Sequence, residues 1–225
     1  NPVLYTSTWY DLLNDLAIAM QWEIHNITRV DIAGDFNYFW HGLDPRTFIR
    51  TYLHRGKAGY IKVGTNKFTC NGERDLYHAN IDTIRFGSRQ SGVSVYLYNK
   101  SKELKDKKDK PWIRKTWELA NLRTDAVWRL EFSITNQGAH VKRLSDGLLH
   151  TLFHDDLSQA QNIKEYFHAF AEKFFHFKHI EIAPKDGKQK KKSQMKDVVL
   201  FNPEEEILFK PKSVNRARDT GRTEK

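Results

Sequence analysis

Two short runs of alternating side chains, IDTIRF at 81–86 and VSVYLY at 93–98, flank the turn-forming stretch GSRQSG and constrain this chain more than any other segment. Alternation with a period of two marks a strand with one buried face. In the second run Val93, Val95 and Leu97 fall on one face, and Ser94, Tyr96 and Tyr98 on the other. The stretch therefore predicts a hairpin whose polar face carries two phenols, with Lys100 as a fixed cation just past Tyr98. Aromatic rings pack well on pleated surfaces, so one tyrosine in a strand is by itself an ordinary structural residue. It becomes a candidate nucleophile only in suitable company.

That company comes from TRVDI at 28–32 and WRLEF at 128–132, which share the pattern Arg, apolar, acid, apolar one hundred positions apart. Alternation buries Val30 and Ile32 in one run and Trp128, Leu130 and Phe132 in the other, leaving Arg29, Asp31, Arg129 and Glu131 on polar faces. The repeat suggests an internal duplication in which each half gives one strand to a common site. In a single sheet, a phenol, two carboxylates and two guanidiniums would share one surface. Such a set suits phosphoryl transfer on a nucleic acid. A hard divalent cation, Mg2+ or Mn2+, takes oxygen ligands, and Asp31 and Glu131 supply them while leaving room for a phosphate oxygen. The metal polarises the phosphate, the Tyr98 oxygen attacks, and Arg29, Arg129 and Lys100 steady the charge. Because a free phenol ionises at about pH 10, a nearby metal or Lys100 must ease its deprotonation. The competing reading makes the two Arg and acid pairs salt bridges on a solvated face.

The residues resemble a family at this point. GSRQSGVSVYLYNKSKE followed by VWRLEFSI is similar to the signature of the Rep_trans-type replication initiators of rolling-circle plasmids, a family that includes relaxases of some integrative conjugative elements. The matching positions are Gly87, Ser88, Arg89, Ser91, Tyr98, Asn99, Lys100, Glu103, Trp128, Arg129 and Glu131. RVDIAGD resembles an earlier family run at Arg29, Asp31, Ala33 and Asp35, with Gly34 standing where a larger apolar residue is expected. The resemblance covers roughly residues 25–135. It implies that Tyr98 nicks DNA at an origin, that Asp35 joins Asp31 and Glu131 as a metal ligand, and that the protein is a homodimer working with a host helicase.

Composition bounds the remaining possibilities. Lys and Arg number 37 against 28 Asp and Glu, a net charge of +9 that points to a polyanionic partner. Charge of this kind attracts phosphate backbones largely without regard to sequence, and on its own fits a membrane surface nearly as well. Cys70 is the only cysteine, which rules out an intrachain disulfide and points to a reducing, cytoplasmic setting. No apolar run approaches the roughly 20 residues needed to cross a bilayer. The first residue is Asn1 rather than Met, so the chain is expected to be part of a longer one.

Along the chain, Ser7 or Thr8 is expected to cap a helix burying Trp9, Leu12, Leu13, Leu16 and Met20. The aromatic loop DFNYFWHG beside the site either stacks on unpaired bases or plugs the core. Asp44 and Pro45 start a helix that buries Phe48, Ile49, Tyr52 and Leu53 and stops near Gly56. Arg46, Arg50 and Lys57 lie on or just beyond that helix, away from its apolar stripe, and are a candidate DNA-facing surface; a solvated face is the alternative. Arg89 in the hairpin turn joins the same set. Charge-rich KSKELKDKKDKP, 100–111, predicts an exposed loop, and a helix is expected at 112–122. A long helix opening at Asp155 or Asp156 carries Ile163, Tyr166, Phe167, Phe170, Phe174 and Phe177, followed by strands at 179–183 and 197–201. Its histidines His168, His176 and His179 are read as structural or solvent-exposed rather than as a metal site.

The expectation is an α+β fold, a largely antiparallel β-sheet with helices packed on one face and the active surface on the other. A catalytic nicking domain spans 1–184, and a basic C-terminal segment, with twelve Lys or Arg against seven Asp or Glu, spans 185–225. The competing functional readings are a relaxase of an integrative conjugative element, which makes the same nick, and a DNA-binding regulator without catalysis. A membrane-surface or RNA-binding protein would account for the charge but not for the paired acids.

Overall fold

The computed structural model describes residues 9–23, 28–54, 59–64, 67–74, 79–88, 91–107, 109–143, 145, 147–152, 154–181, 194–202 and 209–211. Its centre is a five-stranded sheet of β1 (Arg29–Phe36), β3 (Phe68–Arg74), β4 (Ala79–Phe86), β5 (Val93–Asn99) and β6 (Trp128–Thr135). The order across it is β1-β6-β5-β4-β3, with every neighbouring pair antiparallel. Two three-stranded sheets flank it. One joins β2 (Tyr60–Lys62), β9 (Phe177–Glu181) and β10 (Gln194–Asp197); the other joins β7 (His140–Arg143), β8 (Leu149–Thr151) and β11 (Phe209–Pro211). The fold is α+β, as the patterning implies.

The apolar face of the central sheet is built by the predicted alternation. Val93, Val95 and Leu97 of β5, Trp128, Leu130, Phe132 and Ile134 of β6, and Ile84 and Phe86 of β4 are all buried on it. Against it lie α2 (Pro45–Leu53) and α5 (Ala160–Phe174). Asp44 caps α2 by accepting a hydrogen bond from Thr47 N at 2.8 Å, with Pro45 in the first turn. Phe48, Ile49 and Tyr52 bury its inner face. Phe48, Phe86, Phe175 and Phe177 meet mainly edge to face, the arrangement that ring quadrupoles favour. Gly34 has a packing reason: a Cβ there would stand 2.8 Å from the ring of Phe167, which α5 lays over β1.

A second, smaller core of Leu104, Ile113, Trp117 and Val127 sits where β5 ends and β6 begins. It is made by α3 (Lys100–Asp106) and α4 (Pro111–Leu119). Residues 100–106 are thus a helix rather than the expected exposed loop. Asn99 caps it by accepting from Lys102 N at 2.9 Å, and Val127 O accepts from the backbone N–H groups of Lys100 and Ser101. Charge density alone pointed to solvent. The one apolar residue, Leu104, and the cap decide otherwise.

Three other departures are local. The stripe on α1 (Trp9–Ala19) is not a core face: Trp9 packs against the core, whereas Leu12 and Leu16 are about half exposed and Ile18 is 76% exposed. Periodicity identifies an apolar stripe without saying what covers it. The long helix stops at Phe174, so that Phe177 opens β9. The last apolar run pairs earlier than expected, at Gln194–Asp197, while Leu200 is buried outside any strand. In the aromatic loop Phe36 and Phe39 plug the core, and Tyr38 and Trp40 stay exposed.

Lys62 of β2 is 5% exposed, with its ammonium 5.4 Å above the ring of Phe86 and one hydrogen bond, to Val63 O. Burial lowers its pKa to about 8. The unfolded chain then binds more protons than the folded one between pH 8 and about 10.4, so this group makes stability rise with pH across that window. Urea unfolding of the unsubstituted chain and Lys62→Met is expected to differ by a pH-dependent amount on the order of 2 kcal/mol, favouring Lys62→Met at pH 7 and shrinking towards pH 10.

Candidate active site

Register puts the polar side chains on one face. Across β1-β6-β5, Asp35 faces Arg129, which faces Tyr98; one step along, Ala33 faces Glu131, which faces Tyr96; one step further, Asp31 faces Ser133, which faces Ser94. Ile32 lies directly opposite Phe132, the residue one hundred positions later. A two-fold axis through that pair relates the two Arg, apolar, acid, apolar runs, so Asp31 and Glu131 fall diagonally across it rather than opposite each other. Side chains on such a diagonal are within reach of a shared ligand.

Tyr98 Oη donates a hydrogen bond to Glu131 Oε2 at 3.0 Å. Both line a cleft of about 470 Å³ with Tyr96, Thr83, Asp82 and Glu103. Burial, reinforced by the charge of Glu131, pushes the Tyr98 phenol well above the ordinary tyrosine range; Arg129 pulls the other way. Lys100 is 5% exposed and lies 5.3 Å over the Tyr98 ring, while its ammonium bonds Glu103. Burial alone would raise the Glu103 carboxyl, but the hydrogen bonds and charges of Lys100 and Lys107 outweigh it and hold the group below its usual value.

Asp35, expected among the metal ligands, is committed elsewhere. It accepts two hydrogen bonds from Arg129, at 2.6 and 2.7 Å, and one from the Trp117 indole at 2.7 Å. A carboxylate so engaged orients Arg129 beside Tyr98 and ties the small core to the sheet. Arg129 accordingly pairs with Asp35, across the strands. Arg29 holds Asp31 through two hydrogen bonds within β1, at 2.8 and 2.9 Å, on an exposed part of the face.

Among the described residues no three His, Cys, Asp or Glu side chains come together closely enough to hold a metal ion. The carboxylates that could hold a hard cation of the Mg2+ kind, which binds through one or two carboxylates and keeps water and substrate phosphate in its other positions, are Glu131 and, itself paired with Arg29, Asp31. Arg46 and Arg50 are exposed on α2, and Arg46 stands 3.8 Å from Asp82 at the cleft. Arg89 and Lys57 lie outside the described residues.

Sequence reading missed Asp82. It sits at a β-bulge, where Asn71 pairs with Thr83 and Gly72 with Ile81, leaving Asp82 unpaired in the ladder. A bulge re-aims a side chain, and Asp82 turns to the cleft to accept from Lys102 at 2.7 Å. Its only signal was Gly72, where a Cβ would meet Asn80 O at 2.0 Å.

The family model described as Rep_trans, replication initiation factor, matches residues 25–194. The chain belongs to that family. The rolling circle replication initiator protein from Geobacillus stearothermophilus is a similar solved structure, at 18% identity and a TM-score of 0.32, with 56% of this chain and 39% of that one covered. A search of curated proteins gives no match. Among the described residues no helix is long and apolar enough to cross a membrane.

The Asp35 assignment predicts that Asp35→Asn, in EDTA, loses about 3 kcal/mol of stability by urea unfolding, because it leaves the buried Arg129 charge without its counter-ion. Trp117→Phe is expected to lose about 1 kcal/mol, the worth of one hydrogen bond.

Proposed function

We propose that this Rep_trans chain nicks and rejoins a DNA strand at a replication origin through a tyrosyl-DNA intermediate, with Tyr98 as nucleophile. The observation that carries this reading is the Tyr98 Oη to Glu131 Oε2 hydrogen bond inside the cleft. A phenol whose burial and acidic neighbour resist ionisation reacts only when its proton has somewhere to go. Glu131 is that acceptor. As the Tyr98 oxygen bonds to phosphorus, its proton passes to Glu131, the bond from phosphorus to the 3′ oxygen breaks, and that oxygen takes up a proton from water as it leaves. The 5′ end stays joined to Tyr98. The ester conserves the bond energy, so the reverse attack by a 3′ hydroxyl rejoins the strand without ATP.

Lys100 over the ring and Arg129 across the ladder favour negative charge on the tyrosine oxygen, each held in place by its own carboxylate. Asp31 and Glu131 would hold a divalent metal, Mg2+ or Mn2+, which when bound polarises the phosphate and offsets its charge. Arg29, Arg46 and Arg50 are exposed and serve as backbone contacts, which position the strand without reading its sequence. Single-stranded or hairpin origin DNA is the substrate form, in the cytoplasm, with a homodimer and a host helicase completing the initiation complex.

Supercoiled plasmid carrying the origin, incubated with the protein and Mg2+ or Mn2+, is expected to yield nicked circles with protein attached at the 5′ end. Tyr98→Phe should lose nicking and keep DNA binding, and Tyr96→Phe should keep both. Nicking by Tyr98→Phe would sink the assignment, and loss in Tyr96→Phe alone would transfer the role to that residue.

A further inference from the structure

The cations around the cleft are each held by a carboxylate: Arg129 by Asp35, Lys100 by Glu103, Lys102 by Asp82 and, farther along, Arg29 by Asp31. Arg85 differs. It lies on β4 directly opposite Tyr96, on the polar face of the sheet, with its guanidinium 5.8 Å above the Tyr96 ring. Among the described residues no acid pairs with it. Its hydrogen bond to Gly87 O is long, at 3.4 Å, and its buried Nε has no partner. A partly buried guanidinium with an unmet donor lacks an anion, and planar N–H donors match phosphate oxygens.

The surroundings indicate which anion. Tyr96 lines the same cleft as Tyr98 and follows the same strand face, two residues away, a spacing of about 6.8 Å along the strand. A DNA strand that presents one phosphodiester to Tyr98 and runs along β5 would bring its neighbouring phosphate over Tyr96 and Arg85. We infer that Arg85, seated on the Tyr96 ring, binds the backbone phosphate one nucleotide from the one attacked. The inference rests on the reading of this face as a DNA-cleaving site. It adds a positioning residue that the motifs do not contain: Arg85 fixes where along the strand the cut falls, and Tyr96 keeps the guanidinium flat.

The test uses the full chain and a fluorescein-labelled 15-nucleotide oligo-dT, with binding followed by anisotropy at a series of salt concentrations. Arg85→Gln is expected to bind about tenfold more weakly at low salt, the loss of one charged hydrogen-bonding group. Its plot of log affinity against log salt should flatten by about 0.7, the contribution of one single-strand phosphate. Arg85→Lys, which keeps the charge but not the fork, should keep the slope and lose affinity. An unchanged slope in Arg85→Gln overturns the inference, whether or not affinity falls, since a purely structural defect weakens binding equally at every salt concentration. Arg85→Lys binding as tightly as the unsubstituted chain overturns it too, and this arm remains if Arg85→Gln does not fold. No cleavage enters the assay, so the result is independent of whether Tyr98→Phe abolishes nicking. Absence of any binding by the unsubstituted chain would overturn both readings.

Discussion

The register of β6 between β1 and β5 is the constraint on which the rest depends. Side chains alternate with a period of two, so a slip of one residue would turn Arg129 and Glu131 into the core and bring Leu130 and Phe132 to the surface. Burial of Trp128, Leu130, Phe132 and Ile134 against α5 and the aromatic cluster resists that slip. Apolar packing on one face thereby fixes the placement of charge on the other. Tyr98 meets Arg129 and Tyr96 meets Glu131 because the buried rows leave no alternative.

Within that frame the electrostatics are arranged to spare the phenol. Most cations near Tyr98 are pinned by acids, which lowers the cost of holding charge in a half-buried cleft and keeps each group in place before substrate arrives. Glu131 is different: its described hydrogen bond is to the tyrosine itself. The Asp35, Arg129 and Trp117 contacts extend the same logic outward, joining the small core of α3 and α4 to the polar face of the sheet.

Much of this was legible in the sequence, and the reasons for the remainder are physical. Alternation in VSVYLY and WRLEF was enough to predict which side chains share a face, because the strand period is insensitive to context. It could not say which acid each arginine takes: Arg129 chooses Asp35, six residues beyond the Arg29 it resembles, because pairing runs across strands. The helix at 100–106 was hidden by its charge, and its cap lies in the strand before it. Asp82 was hidden because a bulge is a property of two strands together. The exposed stripe on α1 shows the opposite failure, a clear pattern with its covering surface unstated.

The change from strand to helix at Asn99 carries a further consequence. Tyr98 is the next-to-last residue of β5 and Lys100 begins α3, so the lysine stem folds back over the ring only because a single residue separates them. Adding or deleting one residue there would rotate the helix by about 100° relative to the sheet, carrying the ammonium off the ring and Leu104 out of its core. The segment from 98 to 104 therefore works only at its present length.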